Sequence, residues 1–133
     1  MSQIQRPQVL PDALSAAFFE GLQAGRLLVQ VCEVCGKHQM AQYRCWNCGA
    51  RSLRWVEASG RATLYSFTRI HMPYHPFYPP PYHAAIAELA EGPRVNTTVL
   101  GCEDADLVVG MPLKAEILVE GADRYLAFRP LPR

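Results

Sequence analysis

Four cysteines are the residues of this sequence best suited to chemistry, and their spacing defines a metal site. Cys32 and Cys35 form one Cys-x-x-Cys pair, Cys45 and Cys48 form a second, and a glycine follows each pair directly. Glycine lets backbone N–H groups approach the sulfur atoms without a side-chain clash. Two such turns facing each other supply four thiolates in a tetrahedron, which is the ligand set of a closed structural Zn²⁺ site. Because no position stays open for water, we expect this metal to stabilise the fold rather than to catalyse a reaction.

Two alternatives use the same four cysteines. Iron in a rubredoxin-like site has the same ligands, so the sequence leaves zinc and iron open. A pair of disulfides would need an oxidising compartment, and the N-terminus lacks the basic and then apolar pattern of a signal peptide. We therefore expect a metal-binding protein of the cytoplasm.

The composition sets limits on the partners of this chain. It has 133 residues, 50% of them hydrophobic, and a formal net charge of +1. A chain of this length can form one compact domain with a core, or a small module plus such a domain. The balanced charge argues against bulk nucleic acid or an anionic membrane as the partner, and no apolar run is long enough to span a bilayer.

The elements that position the cysteines are predicted to be short strands. Residues 27–31, 38–43 and 52–56 alternate with the two cysteine turns, which is the arrangement of a zinc ribbon. A ribbon has almost no core of its own, so the metal supplies much of its folding free energy. The predicted division is an N-terminal helical segment (1–26), a zinc ribbon (27–57) and a barrel domain (58–133).

A short amphipathic helix is predicted before the ribbon. Asp12 is a plausible N-cap, and Leu14, Phe18 and Leu22 recur with helical spacing, while Phe19 lies off that stripe. A helix this short must pack on something. Either it packs on its own domain, or its apolar face together with Phe19 docks on another subunit.

Five strands are predicted beyond residue 60, at 61–70, 82–90, 94–101, 112–120 and 124–128. In the first, alternation places Ala62, Leu64, Ser66, Thr68 and Ile70 on one face. Short antiparallel strands with one longer break fit a closed five-stranded barrel of OB-fold type, and a sandwich is the alternative. The fold class is therefore mostly β.

The segment 71–83 joins the first two of these strands and is rich in proline and aromatic residues. Its prolines exclude helix and inner strand, so an exposed, stiff loop is expected. Such a loop either contacts a partner or ligand, or packs over one end of the barrel. The aromatic residues concerned are Tyr74, Phe77, Tyr78 and Tyr82.

No clear catalytic group emerges from the sequence. His71, His75 and His83 could serve as an acid or a base, since the unperturbed pKa of the histidine side chain is near neutral. No carboxylate within the loop orients them, and the prolines between them give no standard metal-ligand spacing. Cys102 is the one cysteine outside the ribbon, and a lone cysteine usually serves as a small buried hydrophobic residue. We therefore expect this chain not to be an enzyme by itself.

The ribbon is basic. A basic ribbon with aromatic residues can bind RNA, DNA or the phosphates of a nucleotide cofactor, or it can be an ordinary solvated surface that neutralises the thiolates. Residues 60–133 hold seven Lys and Arg against eight Asp and Glu, which counts against a nucleic-acid groove. The residues concerned are Lys37, Arg44, Arg51 and Arg54, with Trp46 and Trp55.

Nearly the whole chain resembles a known family of zinc-ribbon/OB-fold proteins, formerly of unknown function, that are associated with thiolase-like and acyl-CoA enzymes. The resemblance rests on both cysteine pairs and on several motifs in a specific order. These are Phe18-Phe19-Glu20-Gly21-Leu22, Ser59-Gly60-Arg61-Ala62, Leu64-Tyr65-Ser66-Phe67-Thr68, Glu91-Gly92-Pro93-Arg94 and Val109-Gly110-Met111-Pro112.

The resemblance implies an N-terminal helical hairpin, a rubredoxin-like zinc ribbon and a C-terminal OB fold. It also implies an accessory subunit that assembles with a thiolase-fold partner, such as a thiolase or an aldolase that removes steroid side chains. The acyl-CoA thioester would then meet this chain through the basic ribbon residues, His71 and the aromatic loop. Many relatives carry prolines around the second cysteine pair, where this chain has Tyr43, Trp46 and Asn47, so its partner surface differs there. A nucleic-acid-binding ribbon and OB module is the alternative.

Overall fold

The computed structural model describes residues 6–131 and contains two antiparallel sheets with one α-helix. The helix α1 spans Ala16–Gln23. The first sheet has the order β2-β1-β3, and the second has the order β6-β5-β4-β7-β8. The strands are β1 (Leu28–Cys32), β2 (His38–Gln39), β3 (Leu53–Glu57), β4 (Arg61–Ile70), β5 (Tyr82–Leu89), β6 (Arg94–Thr97), β7 (Pro112–Glu120) and β8 (Asp123–Pro130). The predicted mostly-β class is confirmed, and β4 and β7 have the predicted bounds.

The five-stranded sheet is closed into a barrel by the residues that follow β6. Val99 forms a parallel bridge to Phe128 of β8. The amide of Phe128 donates to the carbonyl of Thr98 at 3.0 Å, and the amide of Leu100 donates to the carbonyl of Phe128 at 2.7 Å. The third predicted strand, 94–101, is therefore divided: its first half pairs with β5 and its second half pairs with β8. This bridge joins the two outer strands of the sheet, so the barrel is nearly closed, as in OB-type folds.

One hydrophobic core joins the ribbon to the barrel. Leu64, Leu113 and Phe128 are fully buried inside the barrel, and Leu27 and Val29 from the ribbon belong to the same cluster. The ribbon therefore packs on the barrel through β1. The division of the chain into three segments stays a prediction.

Strand β2 is much shorter than predicted, because a side chain replaces part of the ladder. The buried Gln30 accepts from the amide of Gln42 at 2.8 Å, and its own amide donates to the carbonyl of Gln42 at 3.2 Å. These two hydrogen bonds take the place of a pair of backbone hydrogen bonds between β1 and β2. The backbone pairing with β1 therefore ends after the two residues of β2. The chain is then free to turn toward the second pair of cysteines.

The helix begins later than predicted. Its N-cap is Ser15, which makes no side-chain cap bond, and Asp12 instead caps the turn before it. The carboxylate of Asp12 accepts from the hydroxyl and the amide of Ser15, both at 2.8 Å, and these bonds lower the pKa of Asp12. A Cβ on Gly21 would lie 2.8 Å from the side chain of Leu28, so glycine permits the close approach of α1 to β1. The implied helical hairpin is not found, since residues 6–131 contain this single α-helix.

The predicted alternation of β4 holds only for its first half. The register with β5 shifts between Leu64 and Ser66, which is a β-bulge. After a bulge the faces exchange, since one extra residue is inserted. Phe67 pairs with the buried Ala85, so Phe67 lies on the face that Leu64 occupies before the bulge, and Ser66 lies on the other.

No helix among the described residues has the length and apolar character needed to cross a lipid bilayer.

Candidate functional site

The four cysteine sulfur atoms come together at one end of the ribbon sheet. The Sγ atoms of Cys32 and Cys48 are 3.6 Å apart, those of Cys35 and Cys45 are 3.5 Å apart, and all four lie within 4.8 Å of one another. A tetrahedral Zn²⁺ site with Zn–S bonds of about 2.3 Å has S···S edges of about 3.8 Å. A disulfide would bring two sulfurs to about 2.05 Å. The cluster therefore has the geometry of a four-thiolate metal site.

The two cysteine turns have the same backbone design. The amide of Gly36 donates to the carbonyl of Cys32 at 2.9 Å, and the amide of Gly49 donates to that of Cys45 at 2.7 Å. The φ angle is +78° at Gly36 and +79° at Gly49, in a region that other residues rarely adopt. The glycine that follows each pair in the sequence thus has a structural reason: each turn must reverse tightly to aim two sulfurs inward.

The surroundings favour the thiolate at two of the four cysteines, Cys35 and Cys45. Burial raises the pKa of Cys45, but the backbone amides of Cys48 and Asn47 outweigh it and lower that pKa to about 6. The side-chain amide of Asn47 lies 3.5 Å from Sγ of Cys35 and lowers its pKa. A hydrogen bond from the amide of Ala50 lowers the pKa of Cys48, yet burial and the neighbouring sulfurs raise it to about 12. Four thiolates this close repel one another, and a divalent cation would remove that repulsion.

A buried glutamine supports the second turn. Gln39 is 4% exposed, and its Oε1 accepts from the amide of Trp46 at 3.2 Å. Its Nε2 is buried and makes no hydrogen bond to the described residues, while its side chain helps to lower the pKa of Cys45. A buried donor without a partner is costly, so a metal-bound thiolate at Cys45 is the acceptor that this amide fits. The donor set and its surroundings thus fit a resident metal ion.

The histidine at the second position of β5, His83, is held in a hydrogen-bonded network. His83 Nδ1 lies 2.7 Å from Oδ1 of Asp104, in the 3₁₀ turn Asp104–Asp106. Its Nε2 accepts from the backbone amide of Val99 at 2.9 Å and lies 3.0 Å from the hydroxyl of Thr98. Because Nε2 accepts an N–H, the proton of the neutral ring is on Nδ1 and points to Asp104. Both nitrogens are occupied, so His83 ties β5 to the strand that closes the barrel.

The proline-rich loop borders an open aromatic cavity of about 590 Å³ on the barrel wall. The rings of Phe77 and Tyr78 meet edge to face at 5.0 Å, and Tyr78 lies 5.7 Å from Tyr82. Tyr125 and Arg6 also line the cavity, and the guanidinium of Arg6 lies 4.1 Å from the centroid of the Tyr125 ring. The predicted contact residues thus separate into two groups: Phe77, Tyr78 and Tyr82 line the cavity, whereas His71 and Tyr74 are exposed outside it.

A second cavity of about 590 Å³ lies between the ribbon and the β5–β6 hairpin. Lys37, Trp46 and Arg94 line it, and the ammonium of Lys37 is 5.5 Å from the indole centroid. Trp46 is 74% exposed, so its indole is accessible beside the second cysteine turn. The other three predicted basic residues, Arg44, Arg51 and Arg54, are exposed but do not line this cavity.

The helix face borders a third cavity of about 450 Å³, next to β8. Phe18 packs against the core, and the ring of Phe19 meets it edge to face at 5.2 Å. Phe19 is half-buried and lines the cavity. The helix therefore packs on its own chain through Phe18, and docking of Phe19 on another subunit stays a prediction.

The chain is similar in structure and sequence to known proteins that contain an OB fold. A solved structure, the Ltp2-ChsH2(DUF35) aldolase, superposes with a TM-score of 0.83 at 31% identity, covering 94% of this chain and 98% of that one. The family described as the ChsH2 C-terminal OB-fold domain matches residues 55–118. The chain belongs to the OB-fold, acyl-CoA-associated DUF35 family.

Curated relatives of this DUF35 protein carry two kinds of name. A probable enoyl-CoA hydratase alpha subunit of Thermomonospora curvata is 33% identical over 94% of this chain, but the chain spans only 40% of that protein's length. A DUF35 domain-containing scaffold protein of Methanocaldococcus jannaschii is 28% identical, over 64% of this chain and 74% of its own length. The DUF35 match alone therefore does not assign an activity.

Sequence reasoning missed the partner of His83 in this DUF35 chain. The loop itself holds no carboxylate, and the carboxylate that orients His83 comes from Asp104, 21 positions further along the chain. The available signal was the acidic run at residues 103–106, which the sequence places after the predicted third strand. Cys102 matches the expectation of a hydrophobic role: it packs against the core, and burial and the nearby acids Asp106, Asp104 and Glu103 raise its pKa.

Proposed function

We propose that this chain is a non-catalytic subunit that binds a thiolase-fold acyl-CoA enzyme, either a thiolase or a retro-aldol lyase, and helps to form its acyl-CoA pocket. One observation carries the proposal: the similarity to the Ltp2-ChsH2(DUF35) aldolase extends over nearly the whole of both chains. The name of that aldolase joins a DUF35 component, ChsH2, with a second component, Ltp2. A steroid side-chain aldolase is one candidate for the partner reaction.

The site chemistry supports a subunit without its own reaction. A nucleophile needs an adjacent base with a free lone pair, and the ring nitrogens of His83 are both occupied. Burial and nearby acids raise the pKa of the Cys102 thiol, which disfavours the thiolate. A four-cysteine metal site has no open position for a substrate. Chemistry would then belong to the partner enzyme.

The metal in this proposal is a structural Zn²⁺ held by Cys32, Cys35, Cys45 and Cys48. When bound, it would replace the thiol protons and cross-link the two turns. The chain supplies the rest: glycine turns that aim the sulfurs, and amide donors that hold the thiolates.

The ribbon cavity suits the nucleotide end of a CoA thioester. Phosphates carry negative charge, and Lys37 and Arg94 are the cations on its wall, although Glu88 already pairs with Arg94 at 2.9 Å. The exposed indole of Trp46 offers a face on which an adenine can stack. The aromatic cavity at the proline loop is the corresponding candidate for contact with the acyl group or the partner.

The test is a reconstitution. The tagged chain is expressed in its native host, recovered proteins are identified by mass spectrometry, and a thiolase-fold protein found in stoichiometric amount is purified with and without this chain. We expect that protein to lose stability or turnover when the chain is absent. Recovery of the chain alone, or with nucleic acid that dissociates in high salt, would overturn the proposal and favour the nucleic-acid alternative.

A further inference from the structure

Half of strand β4 has an open edge. The strand pairs with β5 along its whole length but with β7 only from Arg61 to Thr63. At the next residue, the amide of Leu64 donates to the carbonyl of Met111 at 3.0 Å, and the carbonyl of Leu64 accepts from the amide of Gly110 at 2.7 Å. From Tyr65 to Ile70, no segment of residues 6–131 pairs with the outer side of the strand.

The direction of the free backbone groups follows from the ladder. The two hydrogen bonds of Leu64 point away from β5, and adjacent residues of an antiparallel strand alternate in direction. Before the bulge, Thr63 points its backbone groups toward β5 and lies opposite Glu88. After the bulge, the residues opposite Ile86, Ala84 and Tyr82, which continue the alternation from Glu88, are Ser66, Thr68 and Ile70. These residues therefore bond to β5, and Phe67 and Arg69 present their N–H and C=O groups outward.

This edge lacks the usual protection. Natural sheet edges are blunted by proline, by short strands or by covering loops, because open edges recruit other strands. Between Tyr65 and Ile70 there is no proline and a single charge, on Arg69. The surrounding side chains are apolar and exposed, with Tyr65 at 44%, Phe67 at 38% and Val109 at 62%.

We propose that the open edge of β4 pairs with the same edge of a second copy of this chain, in antiparallel register centred on Thr68. In that register Phe67 of each copy lies opposite Arg69 of the other, which allows four backbone hydrogen bonds. Charge complementarity favours it: each guanidinium meets an aromatic ring, a favourable cation–π arrangement. Sliding the pairing so that Arg69 meets Arg69 would oppose like charges, which destabilises a sheet.

The two-fold register also places matching residues together on the opposite face. Thr68 lies opposite Thr68 of the second copy, and Ser66 lies opposite Ile70. Paired threonines are among the favourable cross-strand neighbours. The net charge of +1 opposes self-association only weakly.

The first experiment measures the mass of the purified, metal-loaded chain by sedimentation equilibrium over a range of concentrations. We expect a monomer–dimer equilibrium. Phe67→Pro removes an N–H that faces away from β5, so the β4–β5 ladder is kept, and the dimer Kd should rise at least about tenfold. Arg54→Ala, on an exposed ribbon strand, is the matched control and should leave Kd unchanged.

A second measurement tests the register and does not depend on the proline variant folding. Under mild oxidation Thr68→Cys should give a disulfide-linked dimer, because residue 68 faces itself, whereas Ser66→Cys should not. Wild-type protein controls for Cys102. A chain that stays monomeric and a Thr68→Cys variant that does not cross-link would overturn the inference, as would equal cross-linking at both positions. If the backbone amides of this edge are protected from hydrogen exchange only when the chain is in a complex with an enzyme, the edge binds that partner and the inference is overturned.

Discussion

The imidazole Nδ1 of His83 lies 2.7 Å from Oδ1 of Asp104, and this bond links the start of β5 to the loop between β6 and β7. The opposite ring nitrogen accepts from the amide of Val99, in the segment that closes the barrel on β8. One side chain therefore joins three parts of the barrel that are distant in sequence. Its contribution is structural, because neither nitrogen is free for a substrate.

The first prediction concerns the stability of that junction. His83→Ala should lower the free energy of unfolding by about 1–3 kcal/mol, because it leaves the amide of Val99 buried without an acceptor. Asp104→Asn should cost less, since an amide oxygen still accepts from Nδ1. Urea denaturation followed by circular dichroism measures both. His71→Ala, at an exposed histidine, is the control and should stay within about 0.5 kcal/mol of wild type. An unchanged midpoint for His83→Ala would show that the junction adds no stability.

The second prediction concerns the metal. The purified chain should contain one Zn²⁺ per molecule by elemental analysis and should be colourless, unlike an iron site. Cys45→Ser should lose the metal, whereas Cys102→Ser should keep it, because Cys102 lies outside the cluster. Both tryptophans of the chain, Trp46 and Trp55, lie in the ribbon. A chelator should therefore change the tryptophan fluorescence strongly, since metal binding and folding of such a ribbon are coupled. Full metal content in Cys45→Ser would contradict the assignment.

The sequence predicts best those features that short-range spacing decides. Each cysteine pair and the glycine that follows it form a turn whose conformation depends only on neighbouring residues, and all four sulfur atoms cluster as expected. Strands β4 and β7 are equally local patterns. The bulge after Leu64 was not predicted, because a register shift depends on which residues of β5 lie opposite.

Long-range contacts explain the other differences. Strand β2 ends early because the side chain of Gln30 takes over the backbone bonds of Gln42, twelve positions away. The segment after β6 changes partner because Phe128 lies within reach only in the closed barrel. Neither Gln30 nor Val99 differs in type from residues that continue a regular strand, so composition alone does not reveal these exchanges.

The third prediction concerns the ribbon cavity and applies to the complex with the partner enzyme. Lys37→Ala and Trp46→Ala should each raise KM for the acyl-CoA by about tenfold and leave kcat nearly unchanged, because the nucleotide end is distant from the reacting carbonyl and its binding is uniform. Steady-state kinetics of the complex measures this. Arg51→Ala, which removes a ribbon cation outside the cavity, should leave KM unchanged. An equal effect of all three variants would indicate general charge attraction instead of a site.

The last prediction concerns the proline-rich loop. His71 is exposed at the start of the loop, where an enzyme partner can reach it, and Tyr82 lines the aromatic cavity with its hydroxyl as the one polar group that a Phe lacks. If they hydrogen-bond the thioester or the product carbonyl, His71→Ala and Tyr82→Phe should each lower kcat of the complex by about tenfold, which corresponds to about 1.4 kcal/mol. Co-elution of the two proteins should be unchanged. Tyr74→Phe removes a hydroxyl outside the cavity and should have no effect. Full turnover in both test variants would limit the loop to assembly, whereas loss of the complex would place these side chains in the interface itself.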